Sequence, residues 1–205
     1  MPLDTKQQYG DKTISESKNM YGKMLLNGGK TVFPYLHRSA EVNYVVGYDA
    51  NGYGNSTYVS KVATENTYVA KSNGRYAVLQ DILVATYDEG SGVVRTVTTS
   101  NEFRHEDVDN WLLNRVSETN VEHRQGAGSL DTSPDCVACG NTNFSIAVNM
   151  APDLNASVSR TVEFSYFNNG LLEYEITEPD GDEQEYSKTS YTYDSFGNIK
   201  TATTS

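Results

Sequence analysis

The chain has 205 residues, 27 of them Asp or Glu and 16 Lys or Arg, for a formal net charge of −11. That balance argues against a nucleic-acid surface, which needs clustered Lys and Arg, and against docking on an anionic membrane. With no run of about 18 apolar residues and no charged-then-apolar leader, neither a membrane span nor an export signal is expected in this stretch.

Fifteen Tyr stand against 6 Phe and 1 Trp, and 16 Gly against 5 Pro. Tyr, Thr and Val favour a half-exposed pleated surface, while Gly and Asn supply turns that need positive φ. An apolar share of 37% is low for a globular chain, yet the chain is too aromatic and too patterned for disorder. The expected class is therefore all-β, an antiparallel β-hairpin array with at most one short helix.

In chain order, residues 1–19 are polar and aperiodic and are expected to form a flexible N-terminal arm before a β-sheet domain over 20–205. From Met20 onward, short β-prone runs alternate with turn signals. Glu41–Tyr48 runs into Asp49-Ala50-Asn51-Gly52; Ser56–Ala63 and Thr67–Lys71 lead to Ser72-Asn73-Gly74. Arg75–Tyr87 reaches Asp88-Glu89-Gly90-Ser91-Gly92, and Val93–Thr99 follows. Residues 105–116 place Val108, Trp111, Leu112 and Val116 at helical spacing, which suits a short helix or an irregular strand. Residues 122–142 lack periodicity and read as an irregular insertion.

The strongest signal is Ser157–Thr177. Val158, Val162, Phe164 and Tyr166 share one parity, and alternation resumes with Leu172, Tyr174 and Ile176 after Asn168-Asn169-Gly170. Alternation on both sides of an Asn-Gly turn predicts a hairpin.

Tyr-Asp followed closely by Gly recurs at Tyr48-Asp49…Gly52, Tyr87-Asp88-Glu89-Gly90 and Tyr193-Asp194-Ser195-Phe196-Gly197-Asn198, with a degenerate copy at Tyr166…Gly170. The tyrosines are separated by steps of 39, 79 and 27 residues. Tyr closes a strand and stacks on a neighbour, Asp gathers turn amides, and Gly takes the positive φ. A lone hairpin is marginal, so such units are expected to pair side by side.

The string Tyr191-Thr192-Tyr193-Asp194-Ser195-Phe196-Gly197-Asn198-Ile199-Lys200 resembles the YD repeat of the Rhs proteins, especially the insecticidal toxin-complex B and SpvB-type relatives. Trp111-Leu112-Leu113-Asn114-Arg115-Val116 is similar to a Trp-Leu-Leu-Gly-Arg string of that family, with Asn114 where the family has Gly. The passage Phe164-Ser165-Tyr166…Gly170-Leu171-Leu172…Glu178-Pro179-Asp180-Gly181 is also family-like. The likeness spans residues 85–205 well and 40–84 loosely. It implies a curved or spiral sheet of hairpins, a segment of the wall of a bacterial toxin shell that is secreted or lies at the cell surface. The partners it implies are other segments of the shell or an enclosed toxin polypeptide. The family's self-cleaving core, with paired Asp-Pro-x-Gly signatures, has no match here, so autoproteolysis is not implied.

Chemistry-bearing residues are few. Cys136-Val137-Ala138-Cys139 reads first as a local disulfide or free thiols; zinc needs more ligands, for which His105 and His123 are the candidates, and no βαβ pattern suggests redox work. The acidic run Glu178–Glu185 lacks the spacing of a calcium loop. Asp49, Asp88 and Asp194 could serve as acid–base pairs, but their place in turns favours a structural role. His37 has no convincing nucleophile partner, and no phosphate-binding glycine loop exists. Asn55, Asn143 and Asn155 stand in glycosylation triplets that chance explains in so Ser- and Thr-rich a chain. The expectation is thus a non-enzymatic chain with no cofactor or metal. The alternative is a module whose exposed Tyr rows stack on a surface glycan or receptor.

Overall fold

A computed structural model describes residues 4–49, 52–104, 107, 112–131, 147–150 and 156–205. Among these residues there are twelve strands and no helix. They are β1 (Asp4–Tyr9), β2 (Lys12–Leu26), β3 (Thr31–Asp49), β4 (Gly52–Lys71), β5 (Tyr76–Asp88) and β6 (Val93–Glu102). Then come β7 (Glu118–Asp131), β8 (Ala147–Met150), β9 (Ala156–Tyr166), β10 (Leu172–Thr177), β11 (Ser187–Tyr193) and β12 (Ile199–Thr204). The strand order is β1-β2-β3-β4-β5-β6-β7-β9-β10-β11-β12, with β8 paired to β7 off this path. Apart from β8, each strand lies beside its neighbours in sequence, through short turns from β1 to β6 and at β9–β10 and β11–β12, and through longer connections at β6–β7 and β10–β11. The fold is the all-β antiparallel hairpin array expected from composition and turn spacing.

Two expectations are corrected. The proposed arm has no boundary at residue 19: β1 pairs with β2 from Asp4↔Lys18 to Tyr9↔Lys12, and β2 runs on to Leu26. Polar side chains on both faces hid these strands, because an edge ladder is held by backbone bonds and needs no apolar parity. Of the expected insertion, residues 122–131 belong to β7, and 132–142, with both cysteines, lie outside the described residues. In the 105–116 stretch, the Asp107 amide donates to the Leu112 carbonyl (3.0 Å) and the Leu112 amide to that of Asp107 (2.8 Å). Reciprocal bonds of this kind form an antiparallel bridge, as the irregular-strand alternative has it; residues 108–111, Trp111 among them, lie outside the described residues.

One compact unit takes Met1–Thr98 and His123–Ser157. Its core is a cross-strand row of small residues: Ala40 faces Ala63, and Ala63 faces Ala85. Met20 and Leu130 complete the buried cluster, with Tyr87 and Val148 packed against it. Leu130 on β7 is directly opposite Val148 on β8, so this two-stranded ribbon lays a paired apolar contact on the alanine row. Alanine suits the row because a larger residue would hold the ribbon off the sheet.

The other unit takes Thr99–Glu122 and Val158–Ser205. Here the predicted hairpin is β9–β10, but its register carries a bulge between Leu172 and Tyr174. Tyr166 faces Leu172, whereas beyond the bulge Ser165 faces Tyr174 and Phe164 faces Glu175. Neither face is therefore purely apolar, and every residue of β10 is half-buried. Asn114, standing where the resembling string has Gly, has φ 59°, a left-handed conformation that Asn tolerates better than most residues.

Candidate functional site

The recurring turns were the candidate functional elements, and two of them are one device. At Tyr166, the Phe167 amide donates to the Leu171 carbonyl (2.8 Å) and the Gly170 amide to the Phe167 carbonyl (2.8 Å). At Tyr193, the Asp194 amide donates to the Asn198 carbonyl (2.9 Å) and the Gly197 amide to the Asp194 carbonyl (3.2 Å). Gly170 and Gly197 have φ of 87° and 86°, the left-handed geometry that a three-residue hairpin loop needs at its last position. The registers match too. Tyr166↔Leu172 and Ser165↔Tyr174 become Tyr193↔Ile199 and Thr192↔Thr201, so a shift of 27 residues reproduces both the turn and its bulge.

Each of these tyrosines also reaches back one strand. The Tyr193 hydroxyl, at the end of β11, donates to the carbonyl of Leu172 at the start of β10 (2.8 Å). The Tyr166 hydroxyl, at the end of β9, donates to the carbonyl of Val116, just ahead of β7 (2.9 Å). Burial pushes the Tyr166 hydroxyl above its ordinary pKa. Phe167 meets the Tyr193 ring edge to face at 6.3 Å, and the Arg115 guanidinium lies 5.5 Å from the Tyr166 ring centroid. The two tyrosines thus tie their strands to an earlier segment rather than merely ending them.

The aspartates work inside their own turns. Asp194 Oδ1 accepts the amides of Phe196 and Asn198 (both 2.9 Å), and Oδ2 accepts the Asn198 side-chain amide (3.0 Å). These donors, the Asn198 side chain foremost, hold its carboxyl below the ordinary aspartate pKa. Asp88 Oδ1 accepts the Gly90 amide (3.0 Å), and its Oδ2 accepts the Ser91 hydroxyl (3.1 Å). The Asp88 turn is longer, closed by the Gly92 amide on the Asp88 carbonyl (2.9 Å), and Tyr87 is drawn into the alanine-row core. In the first copy, Tyr48 and Asp49 end β3, with Asp49 opposite Gly52 at the head of β4; residues 50 and 51 lie outside the described set. The four copies are therefore not equivalent, and only those at 166 and 193 share geometry.

A second candidate surface escaped the turn-based reading. On β3 and β4, Tyr35 lies 4.8 Å from Tyr68, 5.9 Å from Phe33 in a stacked arrangement, and 6.1 Å from His37 edge-on. The Tyr35 ring covers its cross-strand partner Gly22, where a Cβ would sit 2.6 Å from the ring carbon Cζ. Beside it, Tyr21, Pro34, Tyr35 and Leu36 line an open recess of about 510 Å3. The alternation Phe33-x-Tyr35-x-His37 is the signal that could have found this row.

Among the described residues, no group of three or more His, Cys, Asp or Glu side chains converges as a metal site would require. No helix among them is long and apolar enough to cross a membrane. No protein-family model matches the chain, and no curated protein does.

Proposed function

We propose that this chain is a non-enzymatic wall segment, a hairpin array of the Rhs/YD-repeat type that encloses or presents another polypeptide, secreted or at the cell surface. The observation that carries this reading is the 27-residue translation that reproduces turn and bulge, with the tyrosine of each copy bonded to a backbone carbonyl of an earlier segment. Such a unit is suited to lateral growth of a sheet, since each copy fastens to the strand before it. The turn carboxylates of Asp88 and Asp194 are engaged by their own backbones, which suits scaffolding better than proton transfer. The test is to read the natural open reading frame on both sides of these 205 residues. Further Tyr-Asp-x-x-Gly elements spaced a few tens of residues apart are expected; a frame that lacks them on both sides overturns the proposal.

The aromatic row favours a second reading, a glycan- or receptor-binding module. Sugar rings stack on flat aromatic faces, and the recess beside Tyr35 offers one. A glycan panel separates the two: a wall segment binds no glycan specifically, whereas a module binds one and loses it on Tyr21→Ala.

A further inference from the structure

From the ring pair Tyr35 and Tyr68 we infer a site of covalent modification: oxidative coupling of the two phenols into a dityrosine bridge between β3 and β4. The co-reactant is a one-electron oxidant, such as a haem peroxidase turning over hydrogen peroxide. The bridge requires neither the wall nor the glycan reading, because both side chains belong to one hairpin.

The rings meet where the backbone ladder stops. Pairing of β3 with β4 ends at Arg38↔Glu65, and beyond it side chains span the strands. The Asn66 side-chain amide donates to the Leu36 carbonyl (3.0 Å), and His37 Nδ1 donates to the Asn66 carbonyl (3.2 Å). Just past these bonds the Tyr35 and Tyr68 centroids lie 4.8 Å apart, with their planes inclined at 46°. Aromatic rings so close are in direct contact. Phe33 braces both, stacked on Tyr35 at 5.9 Å and edge-on to Tyr68 at 5.4 Å. Beneath Tyr35 the glycine at position 22 leaves room for the ring, since a Cβ there would lie 2.6 Å from Cζ and 2.8 Å from the hydroxyl.

Both phenols are free to react. The hydroxyls of Tyr166, Tyr191 and Tyr193 each donate a hydrogen bond, whereas those of Tyr35 and Tyr68 make none among the described residues. Both side chains are half-buried, and neither hydroxyl is one of the buried polar atoms left without a partner, so water reaches each. In the coupling, each ring gives up one electron and its phenolic proton and becomes a phenoxyl radical with spin density on its Cε carbons. One Cε of each ring then joins the other in a C–C bond, and the hydrogen displaced from each carbon returns to a phenol oxygen through solvent. The two electrons and two protons released turn one hydrogen peroxide into two waters. Rings already in contact couple without the encounter that separate chains in dilute solution need. The new bond closes the end of the hairpin that the ladder leaves open, and it constrains the unfolded chain as a disulfide does.

The test exposes the dilute full chain to illuminated tris(bipyridyl)ruthenium and persulfate, a one-electron oxidant that also works in urea, one persulfate ending as two sulfates. Trypsin then releases peptides 31–38 and 62–71, in which Tyr35 and Tyr68 are the sole tyrosines. The bridge is read as these two peptides joined, at their summed mass less two hydrogens. In the monomer fraction this pair should be the leading cross-link, and its yield should fall about tenfold or more in denaturing urea, where proximity is lost. Tyr35→Phe and Tyr68→Phe should each abolish it while leaving the melting midpoint near that of the parent, since neither hydroxyl carries a hydrogen bond. The coupled monomer should unfold at higher urea than the uncoupled chain, with oxidised Tyr35→Phe as the control for unrelated damage. Absence of the joined pair while N-acetyltyrosinamide in the same tube is coupled overturns the inference. So does a yield as high in urea as in buffer, or a pair confined to the dimer fraction, which would mean coupling between copies. A coupled monomer that unfolds at the same urea concentration as the uncoupled chain overturns the bracing role.

Discussion

The Tyr193 hydroxyl is bonded to the Leu172 carbonyl at 2.8 Å, tying the last residue of β11 to the first of β10. An unassisted ladder between two short strands would fray at this end, where the turn and bulge interrupt regular pairing. The tie acts where pairing is weakest. Tyr193→Phe should therefore destabilise this unit by about 1 kcal/mol, the net worth of one hydrogen bond. Tyr193→Leu should cost more, because the edge-to-face contact with Phe167 goes with it. Urea denaturation followed through the β10–β12 amides checks both: an unchanged Tyr193→Phe variant would contradict the tie, and equal losses for the two variants would contradict the ring contact.

Gly170 and Gly197 share a backbone conformation but not surroundings. A Cβ on Gly197 would meet nothing within 4 Å, whereas one on Gly170 would lie 2.7 Å from Leu112 Cδ2. Gly197→Ala should thus cost only the left-handed penalty, about 1–2 kcal/mol. Gly170→Ala should cost clearly more. In a Leu112→Ala background the Gly170→Ala penalty should fall toward that of Gly197→Ala, a coupling that a double-mutant cycle of unfolding midpoints measures directly.

Asp194 sets a pH signature. Its folded pKa lies below the ordinary aspartate value of about 3.9 because amide donors stabilise the charged carboxylate. A lowered folded pKa means that the unfolded chain takes up the proton first. The stabilisation is complete above about pH 4–5 and is lost as pH falls through the folded pKa. Asp194→Asn should unfold earlier than the parent at pH 7, with the difference shrinking below about pH 4. A difference unchanged between pH 7 and pH 3 would mean that the charge on Asp194 does not matter.

How far the sequence discloses this molecule depends on what holds each element. The β9–β10 hairpin and the Asp194 turn are legible because local residues determine them: alternation, an Asx side chain and a glycine at fixed offsets. The first strands are not legible, since β1 and the start of β2 are polar on both sides and are held by the ladder alone. Nor is the core of the larger unit. Ala40, Ala63 and Ala85 carry weak apolar signal, and their burial depends on a ribbon of residues 128–131 and 147–150 that lies far from them in sequence. The tyrosine-to-carbonyl ties are half legible. Recurrence singles out Tyr166 and Tyr193, yet Val116 and Leu172 accept through backbone atoms that every residue has.

The alanine row makes the last prediction. Leu130 is 2% exposed against residues too small to move in and fill its place. Leu130→Ala should therefore leave a cavity and cost about 2–5 kcal/mol. The reverse change acts by another route. Ala63 is flanked by Ala40 and Ala85, and Ala63→Leu adds volume under a ribbon already in contact, at about 1–3 kcal/mol. Because two compact units are present, a single melting curve would blend their transitions, so exchange of the β7–β8 amides is the measurement to follow. In Ala63→Leu those amides should lose protection before the β3–β4 ladder does, since the ribbon is displaced while the sheet beneath it stays paired. Simultaneous loss in both places would mean that ribbon and sheet unfold as one piece, and the ribbon would then be no separable cover.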